Sequence, residues 1–212
     1  MNDPTDEYLD ELMGGVDDAP ASAVDEAQGV IRLDPPVHDV ERLELKEPSV
    51  FQVLEAARVM GYRPTVESIY DSQIELVAKV AGCSTELLRK VPTRKLDRAV
   101  SFITAFEANA RRRPDQLIDG LDLSPSCEIS FKEPIKGGGR SFTLMTLREP
   151  RVEERRRYKA GESLGSPEAI FRAEIRLVED VSEWTRAAVL RMPISQFAKA
   201  ADYLTGFFID GQ

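Results

Sequence analysis

The chain has 212 residues, and 37 acidic against 28 basic side chains give it a net charge of −9. That balance argues against nucleic acid as the main ligand, because phosphate backbones are held by clustered positive charge. No apolar run approaches the roughly 20 residues that span a bilayer, and the acidic N-terminus has neither the basic flank nor the apolar stretch of a signal peptide.

Two cysteines, Cys83 and Cys127, stand alone with no metal-type spacing, and free thiols of a reducing compartment are the expectation. The length suits two small domains.

Residues 1–28 hold Asp3, Asp6, Glu7, Asp10, Glu11, Asp17, Asp18, Asp25 and Glu26 and no base, so they carry the whole charge excess and the body is neutral. This composition predicts a disordered acidic tail. Within it Tyr8, Leu9, Leu12 and Met13 share one face at helical spacing. The segment reads either as a solubilising tail or as a short helix that folds onto a groove of this protein or another, with those four residues as the partner-binding candidates.

A hairpin follows, with Val30–Leu33 as one strand, Pro35–Asp39 as the turn region and Arg42–Leu45 as the return. A second hairpin is predicted from Glu128-Ile129-Ser130-Phe131, the turn Lys136-Gly137-Gly138-Gly139-Arg140, and the alternating Phe142 and Leu144. The three glycines do not make a phosphate loop, because no Gly-Lys-Ser/Thr follows and a strand comes next.

Four helical patterns follow each hairpin. The first pair covers about 49–61 and 151–163. The second pair opens at Pro64-Thr65 and at Ser166-Pro167, with Ile69, Leu76, Val77 and Val80 or Ile170, Ala173, Leu177, Val178 and Val181 facing the core. Gly82 stops the first of these, and Glu183 in its place makes the second stop less sharp. A short helix capped by Ser84 and a last helix capped by Thr93 complete the first set, with Pro92 and Pro193 between them. Arg111-Arg112-Arg113 complements a helix C-terminus, and Arg155-Arg156-Arg157 reads as a solvated, ion-paired face.

The two sets are a repeat. Leu45-Lys46-Glu47-Pro48-Ser49-Val50 matches Leu147-Arg148-Glu149-Pro150-Arg151-Val152, and Phe102–Phe106 matches Tyr203–Phe207. The offset falls by one residue after the signature, so one residue is lost near the first helix–helix connection. The expected organisation is an acidic tail (1–28), a first hairpin-plus-helices unit (29–113), a linker (114–126) and a second unit (127–212). The fold class is mostly helical α+β, each unit a β-hairpin followed by about four helices.

No catalytic, cofactor or metal site is legible. One histidine, His38, lies in a turn, and no metalloprotease, dinucleotide or nucleotide motif is present. Glu47 and Glu149 recur in both copies, either as an acid pair or as charges that meet the positive end of a helix. The expectation is a protein that is not an enzyme.

Phe142 to Pro150, with the glycine turn before it, resembles the start of the Mu-like phage tail assembly chaperone family. Val77–Gly82, Val91-Pro92 and the closing Leu204-Thr205-Gly206-Phe207 are similar to its later parts. The resemblance covers about residues 29–209 as a tandem duplication, whereas family members are usually one unit. It implies a non-catalytic protein of the bacterial host cytoplasm that binds the tape measure protein until the tail tube forms, is absent from the finished virion, and has the tail tube protein as a further candidate partner. A structural tail or baseplate component retained in the virion is the alternative. Neither reading involves a cofactor, nucleic acid or membrane, and the oligomeric state is open.

Overall fold

A computed structural model describes residues 25–112 and 121–209. Tyr8, Leu9, Leu12 and Met13 lie outside the described residues, as does most of the expected linker. The fold is mostly helical α+β, with two β-hairpins each followed by four helices.

In the first unit β1 (Val30–Val37) pairs antiparallel with β2 (Val40–Glu44). The strand runs on through Pro35-Pro36, which the sequence assigned to the turn. Both strands of a two-stranded sheet are edges, so a proline need not break a ladder. The pairing register shifts between Arg32 and Val37. The turn itself is His38-Asp39, both at positive φ (48° and 64°), which suits a two-residue hairpin.

In the second unit β3 (Ser126–Gly137) pairs with β4 (Arg140–Arg148). Gly138 and Gly139 turn at positive φ, while Gly137 serves close approach, since a Cβ there would lie 2.2 Å from the Ala188 amide. A register shift between Ser130 and Ile135 changes which residues face inward. Phe142, Met145 and Leu147 are therefore buried, and Leu144, expected to share a face with Phe142, points to solvent.

The helices are α1 (Val50–Met60), α2 (Val66–Ala81), α3 (Thr85–Leu88) and α4 (Thr93–Ala110), then α5 (Val152–Glu162), α6 (Pro167–Ser182), α7 (Arg186–Val189) and α8 (Ile194–Ile209). The connection 61–65 between α1 and α2 is one residue longer than 163–166 between α5 and α6, where the repeat offset changes. Thr65, Ser84 and Ser166 cap their helices through side-chain oxygens, as their residue types predict. Thr93 does not: it is the first residue of α4, which opens on Pro92 with no side-chain cap.

Glu183 adopts the left-handed conformation (φ 58°) that Gly82 adopts (φ 69°) at the equivalent helix end. The helix stops equally sharply, at the cost of a strained non-glycine residue. Glu183 is exposed, so Glu183→Gly is expected to raise stability by about 1 kcal/mol. Urea unfolding with an unchanged slope would measure it.

Two apolar cores form. The first holds Ile31, Leu43, Val77, Leu88, Ala99 and Ile103. The second is built around Met145, Leu147, Ile175, Val178, Met192, Phe197 and Leu204, with Trp184 stacked on Phe142 at 4.5 Å. Val50 and Leu54 of α1 belong to this second core. The first unit thus gives part of a helix face to the second.

Candidate functional site

The Leu-base-Glu-Pro-x-Val signature joins each hairpin to its first helix, as the proline predicts. Its basic position has a local task in the second copy. Both Nη atoms of Arg148 donate to the Glu154 carboxylate at 2.9 and 2.7 Å, and Glu154 also accepts from the Arg151 amide at 2.7 Å. The hydrogen bonds from Arg148 hold the Glu154 carboxyl below its ordinary value, against the opposing effect of burial. A depressed carboxylate contributes stability above its unfolded pKa and loses it as pH falls through the folded value. The pair is therefore fully effective above about pH 4.5. Glu154→Gln should cost about 1 kcal/mol at neutral pH, allowing for the exposure of Arg148. Below that range the variant and the parent should converge in chemical denaturation.

The two copies of the signature differ in what they touch. In the first, the strand-to-helix junction docks on the Met192-Pro193 step of the second unit. The Val50 amide donates to Met192 O at 3.0 Å, Phe51 N to Leu190 O at 2.8 Å, and Ile194 N to Pro48 O at 2.9 Å. Glu47 Oε1 accepts from the Ser195 amide at 2.8 Å. Glu47 thus meets the positive end of α8, a helix of the other unit, and supplies one of its orphan amides with a partner. Beyond the junction α1 lies against α6, and Arg58 Nε stands 3.2 Å from Glu168. No equivalent joint runs from the second signature to the first unit among the described residues. Glu149 is exposed, and Val152 is 86% exposed where Val50 is 0%. The acid-pair reading of Glu47 and Glu149 fails here, since one is committed to a helix end and the other faces solvent.

The arginines after α4 complete the joint. Arg111 donates to both oxygens of Glu174 at 3.2 and 2.9 Å and to Glu107 at 2.9 Å. Arg112 binds Asp202 through its amide, Nε and Nη2 at 2.9, 2.7 and 2.8 Å. These bases are contacts between units, where the sequence offered only a dipole partner. Burial pushes the Glu174 carboxyl up, and Arg111 opposes that shift. On α5, Arg157 pairs with Asp180 and Arg156 with Glu153, as a solvated face predicts, while Arg155 lies over the Phe208 ring at 5.6 Å.

Between α1, α2 and α4 lies an open, mostly apolar groove of about 250 Å³. Val53, Met60, Ile69, Leu76, Val100 and Ile103 line it, Ile194 of α8 joins its wall, and Glu107 is its one charged side chain. The same place in the second unit is packed with side chains, Arg111 of the first unit among them, since its partner Glu174 stands in place of Gln73. Tyr158, Ala173 and Leu177 also border a pocket of about 280 Å³ on the α5–α6 side. Ala56 and Glu107 are replaced there by Tyr158 and Phe208, whose rings pack at 5.3 Å. Val53 is replaced by Arg155, which covers Phe208. Tyr158 is 7% exposed and Phe208 4%. The difference was readable as a mismatch between the two units, an alanine and a glutamate against two aromatic residues.

Among the described residues no group of three or more His, Cys, Asp or Glu side chains could hold a metal. None of their helices is long and apolar enough to cross a membrane. Cys83 and Cys127 are free, partly buried thiols, each pushed up by burial.

Residues 128–209 match the model of a family described as phage tail assembly chaperone proteins, E, or 41 or 14. The matched span runs from within β3 to the end of α8, so it is the second unit that carries the family's sequence pattern. The description is that of tail assembly chaperones at large, and the Mu-like group is not singled out in it. No curated protein and no solved structure matches the chain.

Proposed function

We propose that the chain is a tail assembly chaperone that holds the phage tape measure protein in the groove of its first unit. The family match of residues 128–209 supports the general role. The observation that carries the finer reading is the contrast between the two grooves: one open, the other filled by Tyr158 and Phe208. A tape measure protein is long and helical, and it must stay unaggregated before the tube encloses it. An apolar groove between helices fits one face of such a helix. The second unit, with its site closed, serves as the platform on which α1 and α4 are fixed. Tyr8, Leu9, Leu12 and Met13 form a further candidate contact for the same partner, by their helical spacing.

On this reading the protein acts by binding and not by catalysis, works in the host cytoplasm, and is left out of the finished particle. The tail tube protein is a second candidate partner. Co-expression with the tape measure protein of the same phage, followed by pull-down and size-exclusion chromatography, tests it. The expected result is a soluble complex from a tape measure protein that is insoluble alone. No complex, with this chain found instead in purified particles, would overturn the reading and favour a structural tail component.

A further inference from the structure

The joint between the units is one-sided, and its receiving surface occurs twice. In the second unit that surface has three parts. The start of α8 receives Glu47, the Met192 and Leu190 carbonyls receive the Val50 and Phe51 amides, and α6 lies against α1, with Glu168 meeting Arg58 and Phe171 and Ile175 sharing a core with Val50 and Leu54. The first unit carries the equivalent surface in Glu67, Tyr70 and Ile74 of α2 and in the Pro92 start of α4. Nothing in the described residues is seated on it. Phe171 and Ile175 are 7% and 0% exposed, whereas Tyr70 is 50% exposed and Ile74 half-buried. Next to them Val66 is 74% exposed. Where α8 has the Glu47 carboxylate, α4 has no side-chain cap.

We infer that this face of the first unit is a docking site for a second polypeptide whose bound segment resembles α1 and the Glu-Pro turn before it. The filled copy specifies the occupant's chemistry. A carboxylate just ahead of the helix meets the start of α4, as Glu47 meets α8. Apolar residues four apart cover Tyr70 and Ile74, as Val50 and Leu54 share a core with their counterparts. A base four residues further pairs with Glu67, as Arg58 pairs with Glu168. The chain's own second signature does not meet this description. It offers Glu149 and Val152, but Arg156 stands in place of Leu54 and Ala160 in place of Arg58. Nor does the acidic tail 1–28, which holds no base to meet Glu67. The occupant is therefore a different chain, and the site is separate from the groove proposed for the tape measure protein.

A fluorescein-labelled peptide of residues 45–60, the segment that fills the second unit's surface, is the probe, titrated into the full chain by anisotropy. Saturable binding is expected, weakened at least tenfold by Glu67→Lys with Tyr70→Glu and unchanged by Glu168→Lys. Both substituted residues of the first variant are exposed, and an unchanged thermal transition confirms that it folds. Failure of the peptide to bind the full chain would overturn the inference. So would loss of binding through Glu168→Lys alone, which would mean that the peptide displaces α1. Self-association of the full chain that Val152→Asp abolishes would also overturn it, by making a second copy the occupant.

Discussion

Val50→Asp is expected to destabilise the chain by about 3–5 kcal/mol, whereas Val152→Asp should change stability by less than about 0.5 kcal/mol. The two valines hold the same position in the two signatures, each at the first residue of a helix with a proline two residues before. Local chemistry is nearly identical, and an aspartate at a helix start is locally favourable in both. The difference lies entirely in tertiary contact. Val50 is 0% exposed within the second unit's core, and its amide is bonded to Met192 O. Val152 is 86% exposed. A carboxylate at position 50 is buried among Leu54, Ile194 and Met192 without a base to meet it. Urea denaturation of the two variants reads the contrast. Equal effects would mean that the joint between the units does not form in solution.

Ala56→Tyr with Glu107→Phe should reduce capture of the tape measure protein at least tenfold while leaving the fold intact. The pair transplants into the first unit the residues that fill the second unit's groove. Arg111 keeps Glu174 as its partner when Glu107 is removed, so the bridge between the units remains. The added rings cover apolar surface that the parent leaves open, worth about 1–3 kcal/mol by area, against which some overpacking at Ala56 must be set. Ile69→Asp tests the same site by charge rather than by bulk, at a position that is 39% exposed and tolerant of a polar side chain. Both variants should fail in co-purification although their thermal transitions persist. Capture that survives in both would remove the groove from the mechanism.

Much of this fold is written locally and was legible. Apolar residues at helical spacing place α2 and α6, Ser84 and Ser166 mark helix starts, and the glycines of β3–β4 mark a turn. The presence of two hairpin-plus-helices units was legible because the positions that build each core keep their phase. What escaped depends on contacts distant in sequence. Glu47 sits beside a helix of its own unit in the chain, yet its bond is to Ser195. Arg111 and Arg112 suit the end of α4 by charge alone, but Glu174 and Asp202 decide their role. Leu144 was placed on the wrong face because one irregularity in a hairpin inverts every side chain beyond it. The candidate groove was half legible: its walls follow from helix periodicity, while its openness follows from residues in which the copies differ.

On the proposed function the tape measure protein lies in the first unit's groove, and methyl NMR of the isotopically labelled full chain with a soluble tape measure fragment tests that directly. The Met60, Ile69, Leu76, Val100 and Ile103 methyl resonances, which report on the open groove, should shift or broaden. Those of Ile170, Leu177 and Leu204, at the equivalent places in the second unit, should hold. Perturbations centred on the second unit, with the first unit silent, would contradict it.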